Sequence, residues 1–472
     1  MFLRYLLLAN LLTMNEQQQF NKLQLLEIPQ FLTAEECIEL LNSVMDNFTA
    51  ATSHYPTYYR TNDRYVEENE PLATKLLTRL QVYLQSNNLS LSPKISGINP
   101  RLRYCKYQRD QHFSKHQDGV YFTDDHTKSA YSFVLYLNPS HEYLGGTTSF
   151  YKQQDSAIPC KIIQPTQGKL IVFDHHLWHS GDSVIQGMKF VLRTDLLVDD
   201  NSEYPFHRGY IWTLLQMNGN IISAGRDGMI KMWNRQLTRI SAFKAHTLSV
   251  VVLRAVGPEE YLSCSRDFTI KKWHSSGKLL ASLALDEMII SARRFNNQYV
   301  LGGTRGTLYF TNTELILKDS IQLHRSWIWA LFSVKNHLLT CGGDGMLKKV
   351  QPDKKRTSVL VHWKEALCCI NQHRNSLVLG TDKGSLLLLR KNYQIKRVFK
   401  LHTRRITVIL PYKDGVLSAS EDGAVSYLDL KNNKSSILIR QEHFIQAISI
   451  LDNQLYIAGY EGVISQLDLT VS

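Results

Sequence analysis

Two short runs of this 472-residue chain carry side chains able to hold a transition metal: His116-Gln-Asp118 and, far downstream, Trp178-His179-Ser-Gly181. Two imidazoles and one carboxylate bind one face of an octahedral ferrous ion and leave its other positions open for reactants. His116 and Asp118, at i and i+2, fall on one face of a strand end. His179 is the preferred third ligand because His-x-Gly follows there, although His175 and His176 just upstream offer the same donor atom. Lys189 and Arg193 lie further on at i and i+4. On an extended segment that spacing gives them a common face, about 13 Å apart at strand rise.

These residues need strands to bring them together. The chain reads as strands over 102–107, 132–137, 147–151, 169–173 and 189–197, with Gly145-Gly146 breaking the run. Ahead of them, Thr33 with Glu36 three residues on is the capping-box pattern that opens an amphipathic helix. Strands following a helical segment predict an antiparallel β-sandwich or jelly roll with helical support.

The stretch from 26 to 198 resembles the prolyl 4-hydroxylase-like branch of the iron(II)/2-oxoglutarate-dependent dioxygenases. Phe31-Leu32 with Glu36-Cys37 matches that family's opening helix, and His116, Asp118 and His179 match its iron ligands. Lys189, ten residues after His179, matches the basic residue that anchors the far carboxylate of 2-oxoglutarate. Arg193 is the competing anchor, because many relatives use arginine there. Tyr107 matches the tyrosine facing the co-substrate. The resemblance implies a double-stranded β-helix, iron(II), 2-oxoglutarate, dioxygen and ascorbate. It also implies hydroxylation coupled to conversion of 2-oxoglutarate to succinate and carbon dioxide. Asp118, where a halogen-transferring relative has Gly or Ala, implies hydroxylation over halogenation.

The remaining chain repeats. Turn residues Gly228, Phe268, Gly306, Gly345, Gly384, Gly423 and Gly462 recur about every 39 residues. A second marker precedes each unit: His207, His246, Asp286, His324, His362, His402 and His443. Apolar runs of strand length lie between them. With Asp-Gly turns and a closing Trp233 or Trp273, the repeats resemble the WD40 family over 204–472. The resemblance implies a seven-bladed propeller, in which Asp227, Asp267, Asp344 and Asp422 bond to His207, His246, His324 and His402 as structural pairs. Arg305, Lys383 and Glu461 replace the Asp in three blades, which are expected to lack the network.

The expected organisation is an extension over 1–25 with translation starting at Met14, an oxygenase domain over 26–198, and a propeller over 207–472. The last unit has room for three strands, so residues 199–206 are the expected donor of its closing strand as well as the linker. Residues 1–198 carry a net charge of −1 and residues 199–472 a net of +13. That asymmetry fits an acidic partner on the repeat half. Seven scattered cysteines without a CxxC pair argue against a disulfide framework and for a reducing, cytoplasmic setting. The N-terminal apolar run is too short to span a membrane. The expected function is hydroxylation of a protein side chain such as prolyl, with the propeller recruiting that protein or its complex. A scaffold with a vestigial oxygenase fold, or an oxygenase for a small molecule or nucleic acid, is the alternative. No base-stacking motif supports nucleic acid.

Overall fold

In a computed structural model the described residues are 24–50, 59–123, 127–200, 202, 204–352 and 356–470. The expected extension therefore lies outside them except at its end. The chain divides into two compact units, Met1–Glu203 and Tyr204–Ser472.

The first unit holds fourteen described strands: β1 (Leu25–Ile28), β2 (Thr49–Ala50), β3 (Asp63–Glu68), β4 (Ile95–Ile98), β5 (Arg101–Tyr107), β6 (Phe113–His116), β7 (Thr127–Tyr136), β8 (Tyr143–Gly145), β9 (Thr148–Tyr151), β10 (Lys161–Ile163), β11 (Leu170–Asp174), β12 (Trp178–Gly181), β13 (Val184–Gly187) and β14 (Lys189–Asp199). A major sheet runs β1-β11-β7-β14-β5-β3-β2, with β4 also on β14, and a minor sheet runs β10-β9-β12-β6. Helices α1 (Ala34–Val44) and α2 (Glu70–Ser86) precede most of them. Thr33 caps α1 through the expected capping box. Glu36, the other half of that box, also accepts from Arg79 of α2 at 2.6 and 2.7 Å, which joins the helices.

The period-2 alternation of β14 sorts its side chains between two cores. Phe190 and Leu192 pack with Leu76 and Leu80 of α2 and Val44 of α1. Val191 faces the other way and packs with Cys105, Tyr107, Phe113, Tyr136, Phe150 and Phe173, between the two sheets. Lys189 and Arg193 share the parity of Val191, so the strand delivers two cations into an otherwise apolar interior.

Among the described residues the second unit forms six four-stranded antiparallel sheets and one three-stranded sheet, in chain order. The first inner strand, Ile211–Met217, packs against the last, Ile445–Leu451, so the seven blades close on themselves. In four blades the expected pairs form: His207–Asp227 at 2.9 Å, His246–Asp267 at 3.2 Å, His324–Asp344 at 2.9 Å and His402–Asp422 at 3.2 Å.

Three expectations need correction. The marker position in blades five and seven belongs to Trp363 and Gln441, whose N–H groups bond the turn glycines Gly345 and Gly423 as those of His246 and His324 bond theirs. His362 precedes Trp363 by one residue, and His443 follows Gln441 by two. In blade three the work passes from Asp286 to its neighbour Glu287, a buried carboxylate that accepts from Tyr309 Oη (2.7 Å) and Arg305 N (2.6 Å). That blade lacks the His–Asp pair but not a polar network. Lastly, no strand forms among the described residues of 200–206, and Asp199 ends β14 of the first unit. His207 N–H meets the last blade on Gly462 O at 3.1 Å, and Phe206 packs against a cluster that includes Tyr456, Ala458 and Ile464 of that blade.

Candidate active site

Strands β6 and β12 are antiparallel neighbours in which His116 and His179 stand directly opposite each other. Register alone therefore places the two imidazoles side by side, with ring centroids 4.2 Å apart. Phe113 stacks on His116 at 3.6 Å, and Phe173 meets His179 edge-on at 4.7 Å. Asp118 lies just beyond the end of β6, its N–H on His175 O at 3.1 Å. Its carboxylate comes within 3.4 Å of His116 Nε2 and 3.5 Å of His179 Nε2. All three ligand atoms lie within 4.8 Å of one another.

The protonation pattern is fixed by backbone. His116 Nδ1–H donates to Ser114 O at 2.7 Å and His179 Nδ1–H to Leu177 O at 2.9 Å. Each Nε2 is then a bare lone pair, buried and without a hydrogen-bond partner. Two such acceptors facing a carboxylate are costly unless a cation joins them, so these residues fit a divalent metal. Burial holds both imidazoles in the neutral, ligating form, His179 down to about 3. Burial opposes the charge on Asp118 as well, but the Arg193 guanidinium and the imidazoles outweigh it and hold the carboxyl well below its usual range.

Arg193 does not stand free on its face. Its Nη2 donates to both oxygens of Asp118 at 2.7 Å, and Ser132 Oγ adds a bond to Oδ2 at 2.5 Å. Lys189 is the other buried cation. Its Nζ donates to Gly146 O at 2.6 Å and lies 4.8 Å from the Tyr107 ring, its cross-strand partner. Gly146 has φ +69°, and a Cβ there would press on Lys189 Cδ at 3.1 Å, so glycine is required beside the ammonium. Burial pushes Lys189 down to about 8, only partly offset by Asp182. A carboxylate at the ammonium would offset that penalty.

The alternative ligands lie elsewhere. His175 is fully buried, its Nδ1 3.5 Å from Ser132 Oγ, the hydroxyl that bonds Asp118. His176 is exposed and bonds Asp174 at 2.7 Å. Ser132, the Ser114 and Leu177 carbonyls and the Asp118–Arg193 bond have no signature in sequence spacing. The i+4 parity of Lys189 and Arg193 was the only available hint.

Comparisons with known proteins match two parts of the chain. Residues 102–194 match the 2OG-Fe(II) oxygenase superfamily, and residues 201–234 match the WD domain, G-beta repeat. No curated protein matches the chain. Among solved structures it is similar to the computationally designed Ika8 protein (19% identity, 56% of this chain and 97% of that one, TM-score 0.46). It is also similar to the WD40 β-propeller domain of Doa1 (13% identity, 55% and 93%, TM-score 0.49). The chain thus joins a 2OG-Fe(II) oxygenase domain to a WD-repeat β-propeller.

Proposed function

We propose that this chain is an iron(II)- and 2-oxoglutarate-dependent hydroxylase of a protein side chain, prolyl being the leading candidate, whose propeller docks the protein to be modified. The observation that carries the catalytic half is the pair of orphaned, buried Nε2 atoms facing Asp118. His116, Asp118 and His179 would hold the iron. Lys189 would take the far carboxylate of 2-oxoglutarate, with Tyr107 beneath its ammonium. Bound iron supplies the activation of dioxygen, with ascorbate keeping it ferrous; the protein supplies orientation and a dry wall.

Each protein group has a limited task. The Ser114 and Leu177 carbonyls hold the imidazole tautomers that leave Nε2 free. Arg193 and Ser132 fix the Asp118 carboxylate. Phe113, Phe150 and Phe173 exclude water from the imidazoles. The intact constellation argues against a vestigial site. The test is the purified full chain given iron(II), 2-oxoglutarate and candidate protein partners, read as succinate formed and as one oxygen atom added to a partner by mass spectrometry. Failure to form succinate under any condition would sink the proposal.

A further inference from the structure

Asp182, between β12 and β13, gathers three hydroxyl groups. Thr147 Oγ1 and Ser149 Oγ each donate to its Oδ2 at 2.5 Å, and Ser180 Oγ donates to Oδ1 at 2.7 Å. Its own N–H bonds Thr147 O at 2.9 Å. Ser149 and Ser180 stand directly opposite each other in the β9–β12 pairing, as Phe150 and His179 do one position before. Strand alternation therefore turns both serines to the face opposite the His179 imidazole, and both are buried there. Asp182 follows His179 by three residues but works on the reverse side of its sheet.

The same carboxylate holds the turn that seats Lys189. Gly146 N–H bonds Ser183 O at 3.0 Å, while Gly146 O accepts from Lys189 Nζ at 2.6 Å. A Cβ on Gly145 would lie 2.7 Å from Ser183 O, so the turn and the segment beneath it approach as closely as glycine permits. Two backbone bonds and the Thr147 hydroxyl thus fix residues 145–147 on residues 182–183. The turn in its place fixes the ammonium. Of the three N–H groups an ammonium carries, the Gly146 carbonyl takes one and so directs the others.

A dicarboxylate held at one end beside the imidazoles and at the other by the ammonium must match the span between them. In this chain the span runs from His179 through Ser180 to Asp182, then across the clamp to Gly146 and Lys189. We propose that Asp182 is a positioning residue that sets this span, and with it the length of the 2-oxo dicarboxylate that the pocket accepts. The inference rests on the co-substrate reading given above. A misplacement of about 1 Å in such a seat can cost about a hundredfold, enough to separate acids that differ by one carbon.

The test is isothermal titration of the full chain loaded with iron(II) in the absence of dioxygen, so that binding is read without turnover. The ligands are 2-oxoglutarate, the one-carbon-shorter oxaloacetate and the one-carbon-longer 2-oxoadipate. The unaltered chain should bind 2-oxoglutarate best. Asp182→Ala should weaken 2-oxoglutarate roughly tenfold or more and bring the three acids within about threefold of one another. Thr147→Val removes one hydroxyl of the clamp at nearly constant shape. It should move the preference the same way by a smaller factor, and it decides alone if thermal melting shows that Asp182→Ala does not fold. Iron(II) affinity, titrated first, should hold in both variants, because the clamp bonds no side chain of the triad. Weakening of all three acids by one common factor, with the preference intact, would make the clamp merely structural and overturn the inference. A loss of iron(II) binding as large as that of 2-oxoglutarate would overturn it too. If the unaltered chain bound none of the three acids, the co-substrate reading itself would fall, and the inference with it.

Discussion

The two halves use the same residue types to opposite ends. In the propeller, His207, His246, His324 and His402 each give Nδ1–H to an aspartate, while Nε2 accepts from Ser223, Ser263, Thr340 or Ser418 at 2.7–2.8 Å. In two blades Trp233 or Trp273 donates in turn to that serine at 2.7 and 2.8 Å. Every polar atom of those imidazoles is used. In the oxygenase half the imidazoles spend Nδ1–H on backbone carbonyls, and Nε2 is left with only Asp118 in view. A saturated His–Asp pair is structure; an unsaturated one is a place for a cation.

This contrast can be broken most forcefully at the unsaturated pairs. Replacing His116, Asp118 or His179 with Ala should cut iron(II) binding and succinate formation at least about a hundredfold; the melting temperature should change little for the two histidines but fall for Asp118→Ala, which leaves the buried Arg193 guanidinium unpaired. Iron titration followed by a succinate assay checks this, and an active His179→Ala variant would return the third ligand to His175. Next in size is the split between the buried cations. Lys189→Ala should raise the apparent 2-oxoglutarate requirement by roughly 2–5 kcal/mol of lost charge-assisted bonding. Arg193→Ala should instead weaken metal retention roughly tenfold to a hundredfold through Asp118. Separate titrations of metal and co-substrate distinguish them, and the reverse ranking would make Arg193 the anchor.

A pH series tests the same split without mutation. Lys189 is depressed to about 8 by burial. The cation that a carboxylate needs is present below that pH and lost above it. Co-substrate affinity should therefore be level below about pH 8 and fall roughly tenfold per unit above it. An arginine anchor would show no such fall, since guanidinium stays charged.

Smaller effects belong to the saturated pairs. His324→Ala or His402→Ala leaves the part-buried Asp344 or the buried Asp422, and a hydroxyl, short of partners, which should cost about 1–3 kcal/mol. Differential scanning calorimetry should show it in the propeller transition, with iron binding unchanged. The smallest effect should be at His176, whose imidazole is exposed. His176→Ala should stay within about 0.5 kcal/mol in stability and leave metal titration unaltered.

Much of this organisation was readable in the residues. The 39-residue period required a repeat array, the four turn aspartates with an upstream His, three of them in Asp-Gly, anticipated their partners, and Thr33 with Glu36 gave the start of α1. Strands over 102–107, 132–137, 147–151, 169–173 and 189–197 lie within a residue of observed ones at most ends, although β7 begins earlier, at Thr127. Helix α2 was not read individually, and the minor-sheet strand β6 was expected only as a strand end at His116, without bounds, because four residues carry too little periodicity.

Local sequence thus determined which residues could act: period, turn chemistry and side-chain parity are short-range properties, set by backbone geometry over a few residues. Which of them do act was decided by pairing across long separations. Only the β6–β12 register sets His179 opposite His116, and only the neighbouring strands β7 and β14 bring Ser132 and Arg193 onto Asp118. Parity placed Lys189 and Arg193 on one face, but could not say that one meets a carboxylate and the other a glycine carbonyl. That choice depends on which groups the fold leaves unsatisfied in a buried space, a property of the assembled sheets rather than of any segment.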